Sequence, residues 1–112
     1  MKKIEAIIRM NKFEAVKKAL ANIGVRFFTV HDVRGFGLQK GETLIYRGSE
    51  YGTEYIERIQ MDIFATNDKY QEIINVILNS GTTGRVGDGK IVVFPLETVY
   101  RIRNGEQQEL AL

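Results

Sequence analysis

Twice along this chain an alternating run of apolar residues leads through a short polar capping residue into a helical stripe, and each stripe is followed by another strand-like run. In the first unit Ile4, Ala6, Ile8 and Met10 alternate with Lys3, Glu5, Ile7 and Arg9, the period of a strand with one buried face. Asn11 is a good helix cap, Glu14 sits three residues on as in a capping box, and Phe13, Val16, Leu20 and Ile23 then recur at helical spacing up to a stop at Gly24. Residues 25–35 and 56–66 are rich in β-branched and aromatic side chains and are expected to pair antiparallel. Asn67 or Asp68 then caps a second helix, with Tyr70, Ile73, Ile74, Ile77 and Leu78 as its apolar stripe and an end near Ser80 and Gly81. A glycine-rich turn, a final buried strand over residues 91–96 and a polar tail complete the chain.

The order is βαββαβ, with Asn11 and Phe13 echoed by Asp68 and Tyr70 in the second half. That is the α+β, ferredoxin-like arrangement, in which both helices lie on one face of a four-stranded antiparallel sheet. The other face carries Ile7 and its counterparts and calls for a cover, so an oligomer is expected. A chain of 112 residues at 44% hydrophobic content fits one domain with a small core, which makes burial against neighbouring subunits a natural supplement.

Charge and composition exclude several functions. Sixteen basic and fourteen acidic residues leave a net charge of +2 with no Lys/Arg block, so nucleic acid is not an expected partner. The chain has no cysteine and one histidine, which leaves neither disulfide nor zinc chemistry and suggests the cytoplasm. The opening residues carry Glu5 and Arg9 where a signal peptide would be apolar, and no run is long enough to span a bilayer, so a soluble protein is expected.

Two segments remain to be explained. Residues 37–55 are polar, punctuated by Gly37, Gly41, Gly48 and Gly52, and contain Tyr46, Tyr51 and Tyr55. Loops longer than about 12–15 residues are uncommon in compact domains and are usually functional or disordered, and tyrosines offer apolar area with a polar tip suited to a partner surface. Residues 84–90 read GRVGDGK and formally satisfy a P-loop pattern. That assignment fails, because the segment follows a helix, opens a strand, and has Ile91 where Ser or Thr would hold magnesium. The ingredients of anion binding survive: three glycines let backbone N–H groups converge, Lys90 supplies a point charge, and Arg85, Arg101 and Arg103 add cations. Arg101 and Arg103 would project the same way if the last strand continues through them. An ordinary structural hairpin is the competing reading of the same glycines.

Taken together, these segments resemble the PII nitrogen-regulatory signal proteins over essentially the whole chain. Gly35-Phe36-Gly37 with Gln39-Lys40-Gly41 looks like the start of that family's T-loop, and residues 46–51 look like its modification segment. Thr83-Gly84 with residues 87–91 resembles its B-loop, and residues 101–106 its C-terminal loop. The joint order and spacing are specific, while each block alone is weak. The resemblance divides the chain into a T-loop at 37–55, a B-loop at 82–90 and a C-terminal loop at 102–112.

What the resemblance implies is a homotrimer that binds ATP or ADP between subunits, with 2-oxoglutarate joining Mg2+ and ATP at the base of the T-loop. The T-loop would then select among targets such as an ammonium channel, glutamine-synthetase control enzymes or nitrogenase regulators, a loop biased by ligands. Carried over by position, Thr29, Gly37 and Leu38 would line the nucleotide pocket. Thr83, Gly84, Gly87, Asp88, Gly89 and Lys90 would form the phosphate turn, with Arg101 and Arg103 reaching the phosphates. Gln39 would bridge to the metal and 2-oxoglutarate, and Arg58 would meet the effector carboxylate. Tyr51 corresponds to a tyrosine that is uridylylated or adenylylated, Ser49 to a phosphorylated serine, and Arg47, with Tyr46 and Tyr51, to the partner-binding tip.

Departures from the family pattern accompany these matches. Leu38 stands where a basic residue is common, which bears on discrimination of ATP from ADP. Arg58 replaces the usual lysine, keeping the charge but presenting a planar fork. Met10-Asn11, Glu57 and Val92 also replace commoner residues, as expected of a divergent branch tuned to another signal. A slow ATPase built on Lys90 and the arginines is the enzymatic alternative, but no carboxylate pair beside the turn offers to hold magnesium and orient water. His31, mid-strand and without a recognisable nucleophile, reads as structural or exposed.

Overall fold

A computed structural model describes residues 1–37, 45–46, 49–50 and 54–112. Strand β1 (Lys2–Arg9) is followed by helix α1 (Phe13–Asn22), strand β2 (Thr29–Gly37), two-residue strands β3 (Ile45–Tyr46) and β4 (Ser49–Glu50), strand β5 (Glu54–Ala65), helix α2 (Tyr70–Gly81) and strand β6 (Lys90–Pro95). The main sheet has the order β2-β5-β1-β6 and is antiparallel throughout, the ferredoxin-like arrangement expected of the pattern.

Alternation decides which face is buried. Ile4, Ala6 and Ile8 of β1 and Ile59, Met61 and Ile63 of β5 point to one side, where Val16 and Leu20 of α1 and Ile73 and Ile77 of α2 close over them. Burying each large aliphatic side chain contributes about 1.5–3 kcal/mol, so this layer is the main source of stability. The α1 stop is a Schellman motif: the Val25 N–H donates to the Leu20 carbonyl at 2.9 Å, the Gly24 N–H to that of Ala21 at 3.0 Å, and Gly24 takes φ of +83°. The Lys69 ammonium adds a bond to the Ile23 carbonyl at 2.8 Å, tying the start of α2 to the end of α1.

Several local expectations are corrected. Neither helix is capped by the expected side chain. Asn11 lies in a 3-10 turn over Met10–Lys12, and the Phe13 N–H donates to the Met10 carbonyl, which satisfies the helix entry without a cap. Met10 therefore falls outside β1, and Glu14 pairs with Lys17 at 3.5 Å instead of closing a capping box. At α2 the N–H groups of Lys69 and Tyr70 both donate to the Thr66 carbonyl, so Asn67 and Asp68 are turn residues. Strand β2 begins at Thr29 instead of Val25, because residues 23–25 are used to terminate α1 and Val25 and Phe28 pack on the core.

The last strand differs most. β6 is largely exposed, because among the described residues it is the sheet's edge and only β1 flanks it; Val92, Val93 and Phe94 are each about 40% accessible. Nor does it continue to Arg101 and Arg103. It ends at Pro95, and residues 100–107 close on themselves through a Tyr100–Gln107 bridge and a Gly105 N–H bond to the Arg101 carbonyl at 2.8 Å, so the two arginines do not share a strand face.

Candidate functional site at the glycine turn

The turn between α2 and β6 is built around one carboxylate. Asp88 accepts from the N–H groups of Thr83 at 2.8 Å and Gly84 at 2.9 Å, from the Thr82 hydroxyl at 3.3 Å, and from the Thr83 hydroxyl. Arg9 Nε donates to the same carboxylate at 2.9 Å. The Thr83 hydroxyl first, then the Arg9 guanidinium, hold the Asp88 carboxyl well below the usual carboxylate range. Gly84, Gly87 and Gly89 take φ of +78°, +105° and +98°, a region costly for residues with a Cβ. Gly89 also packs on β1 so closely that a Cβ there would lie 1.8 Å from the Ile7 carbonyl oxygen.

Two arginines hold the turn from the sheet. Arg9 and Arg58 are cross-strand neighbours on β1 and β5. Arg9 Nη2 donates to the Val86 carbonyl at 2.9 Å, and Arg58 Nη1 donates to the Gly87 carbonyl. In a trans peptide the C=O and the next N–H point oppositely, so with the Val86 carbonyl held on Arg9 the Gly87 N–H points away from Arg9. The Asp88 N–H donates back to the Arg85 carbonyl at 3.4 Å, closing the turn. The result is a glycine-rich segment, exposed except for the half-buried Gly87 and Asp88, with the exposed cations Arg85 and Lys90 beside it. Such a concavity suits an anion.

Arg58 is 7% exposed and also lies against β2. Gly35 faces it: a Cβ added there would sit 3.0 Å from Nε and 3.5 Å from Cδ. Two residues further on, Gly37 ends β2 opposite Glu54, so the glycine turn and the stem of the long segment share one side chain.

The remaining expected site residues are distributed as follows. Thr29 opens β2, opposite Asp62. Lys90 opens β6, opposite Ile7. Arg101 spends its guanidinium inside the C-terminal segment, on Glu106 at 2.6 Å and on the Leu112 carbonyl at 3.3 Å, and Arg103 is exposed in a turn. Both follow the end of β6 away from the glycine turn, and the structure does not bring them to it within one chain. Tyr46 and Ser49 pair with each other through β3 and β4. Leu38, Gln39, Arg47 and Tyr51 lie outside the described residues. His31 is exposed on β2, with Nε2 3.1 Å from the Asp62 carboxylate.

Arg9 is the residue that sequence reading missed, being taken as the polar partner in an alternating strand. The signal was available once the strands were paired: extending the β1–β6 register two residues beyond Ile7 and Lys90 sets Arg9 opposite Asp88.

Comparison with known proteins bears on this site. The family model described as nitrogen regulatory protein P-II matches residues 1–106. The chain belongs to the P-II family. Among its relatives, the nitrogen regulatory protein P-II of Pasteurella multocida is 45% identical over 112 residues, and that of Nostoc punctiforme 46% identical over the same length. Nitrogen regulatory protein P-II 1 of Escherichia coli is 42% identical over 112 residues. In all three cases the alignment covers the whole of both chains. Membership of the P-II family supports a signal-transduction role in nitrogen regulation, and the curated P-II relatives are named as regulatory proteins. Among the described residues no helix is long and apolar enough to cross a membrane.

Proposed function

We propose that this P-II protein senses nucleotide at the glycine turn and reports the result through residues 37–55. The observation that carries this reading is Arg58, which holds the turn through the Gly87 carbonyl while packing on Gly35 in the strand that enters the long segment. Phosphates of ATP or ADP are recognised by the backbone around Gly87 and Gly89 with Lys90, and Thr83, Gly84 and Asp88 shape the turn. The cleft beside the turn, lined by Ile7, Ile77, Leu78, Asp88 and Lys90, offers about 140 Å3. Ligand pockets usually measure about 300–1,000 Å3, so the rest of a nucleotide site must come from elsewhere.

A homotrimer supplies it. The edge strand β6 and the sheet face opposite the helices leave Val92, Phe64 and Phe94 half exposed, a surface suited to a neighbouring subunit. Arg103 of a neighbour then meets the phosphates, joined by Arg101 once it leaves Glu106, and Thr29, Gly37 and Leu38 complete the lining. Mg2+ would be held through Gln39 and the phosphates, supplying charge neutralisation. The segment 37–55 engages targets through Tyr46, Arg47 and Tyr51, with Tyr51 or Ser49 open to modification, and the targets are enzymes, regulators or an ammonium channel in a cytoplasmic setting. The protein acts by binding and not by turnover.

A second reading has its own support. Arg58, the position expected to meet the 2-oxoglutarate carboxylate, already donates to Gly87, so that effector has to compete with a carbonyl of the turn. A P-II protein responsive to nucleotide alone follows. Calorimetric titration tests both readings. ATP is expected to bind wild type and to bind Arg103→Ala about tenfold or more weakly. The heats of 2-oxoglutarate added to the protein saturated with Mg2+ and ATP then separate the two effector readings. Equal ATP affinities would remove the phosphate assignment, and steady phosphate release abolished by Lys90→Ala would favour an ATPase.

A further inference from the structure

We propose that Glu106 is a positioning residue that withholds Arg101 from bound phosphate, so that the C-terminal segment carries its own intramolecular competitor for the nucleotide. The inference rests on the nucleotide reading of the glycine turn but concerns a different element, the supply of cations from residues 99–112.

Residues 99–108 fold back on themselves. Tyr100 bridges Gln107, the Arg101 N–H donates to the Glu106 carbonyl, the Gly105 N–H to the Arg101 carbonyl and the Gln108 N–H to the Val99 carbonyl, each at 2.8 Å. Asn104 Oδ1 accepts from the Glu106 N–H at 3.1 Å, and Gly105 takes φ of +74°, which glycine adopts freely. These bonds run through the backbone or through Asn104, so the turn closes without help from the Glu106 carboxylate.

That carboxylate is engaged elsewhere. Backbone pairing sets Glu106 across from Arg101, and its Oε2 accepts from Arg101 Nη1 at 2.6 Å. Arg101 Nη2 donates to the Leu112 carbonyl at 3.3 Å, so both prongs of the guanidinium fork are used inside the segment. Arg103 stands exposed in the same turn and takes no part in this pair. Two like side chains are therefore held in different states: one is open to a phosphate, and the other has to leave a carboxylate first.

The exchange is open to a ligand because the pair is partly in water. The Arg101 and Glu106 side chains are 32% and 42% exposed, and ion pairs at such exposure are weakened by solvent screening. A phosphate offers the guanidinium a bidentate partner and so displaces the carboxylate. The free energy of the broken pair is subtracted from the gain, and Glu106 lowers nucleotide affinity by that amount.

Calorimetric titration of ATP into the full chain tests this on Glu106→Gln, Arg101→Ala, the double variant and Glu109→Gln. Glu106→Gln is expected to bind ATP about two- to fivefold more tightly than wild type, with an unchanged melting temperature because the core lies elsewhere. In the Arg101→Ala background the same substitution gives no gain, since there is no guanidinium to release. Glu109→Gln removes a carboxylate from the same segment that is not paired with Arg101, and leaves affinity near that of wild type. Glu106→Met, without charge or acceptor, repeats the measurement should the glutamine variant fail to fold or hold Arg101 through its amide oxygen. A merely structural Glu106 would give equal or weaker binding in both neutral variants, which overturns the proposal. So does a gain that persists without Arg101, or an equal gain in Glu109→Gln, because either would mark a general charge effect. In each of those cases wild type still binds ATP and nucleotide sensing stands. Wild type that binds no ATP overturns both.

Discussion

Arg9 and Asp88, 79 positions apart in sequence, meet at 2.9 Å and join the end of the first strand to the glycine turn before the last. The contact is one of five that the Asp88 carboxylate accepts, and the others all come from Thr82, Thr83 and Gly84. The turn is therefore organised by its own carboxylate, and the direct task left to a ligand is to meet the donors and cations around it.

The first prediction is a pH dependence. Because the folded Asp88 carboxyl titrates below its ordinary value of 3.8, its charge stabilises the fold above that value, and the contribution is lost as pH falls through the depressed folded value. Asp88→Asn is expected to be less stable than wild type at neutral pH, with the gap closing progressively below about pH 4. Urea denaturation of both proteins from about pH 7 to about pH 2.5 checks this. A gap that stays constant over the range would contradict it.

A second prediction concerns Gly89, where a positive φ coincides with direct contact on the Ile7 backbone. Gly89→Ala should cost about 2–4 kcal/mol and disorder the turn, because neither the backbone of β1 nor the φ angle can relax cheaply. Gly84, with φ of +78° and no atom within 4 Å of an added Cβ, should suffer strain alone, about 1 kcal/mol for Gly84→Ala. Chemical denaturation of the two variants side by side reads the difference.

In the core, Leu20→Ala removes a fully buried side chain between α1 and the sheet. A loss of about 2–5 kcal/mol is expected, measured as a lowered denaturation midpoint. Leu78, in the same expected stripe as Ile73 and Ile77, is 54% exposed, so Leu78→Ala should cost well under about 1 kcal/mol.

Lys90→Ala tests the anion-binding role of the turn separately from its folding. Lys90 is exposed at the start of β6, so its removal should leave the melting temperature nearly unchanged while lowering ATP affinity about tenfold or more. Calorimetry and thermal denaturation of one preparation give both quantities.

Much of the fold is legible in the sequence because burial follows period. Ile4, Ala6 and Ile8 alternate without a break, and their buried partners Ile59, Met61 and Ile63 do the same, so strand faces follow from pattern alone, and the antiparallel pairing expected of residues 25–35 with 56–66 is present between β2 and β5. Helix starts were less legible, since the Met10 and Thr66 carbonyls satisfy the first N–H groups through backbone turns that leave no capping signature in residue type. The exposure of β6 depends on its being an edge, a property of topology and not of its apolar composition.

At the candidate site the division is similar. The glycines and Lys90 announce an anion-binding turn by their chemistry. Arg9 and Arg58 acquire their roles only through pairing between distant strands, which places one opposite Asp88 and the other beneath Gly87. Arg101 and Arg103 were expected on a continuing strand, but Pro95 ends β6 and the segment turns back on itself.

A crystal of the full chain grown with ATP decides between a site built by one chain and a site shared between copies. The triphosphate is expected against Gly87, Gly89 and Lys90 of one subunit, with Arg103 of a neighbouring subunit closing on it. Nucleotide bound away from the glycine turn, or held there by a single isolated chain, would contradict the account.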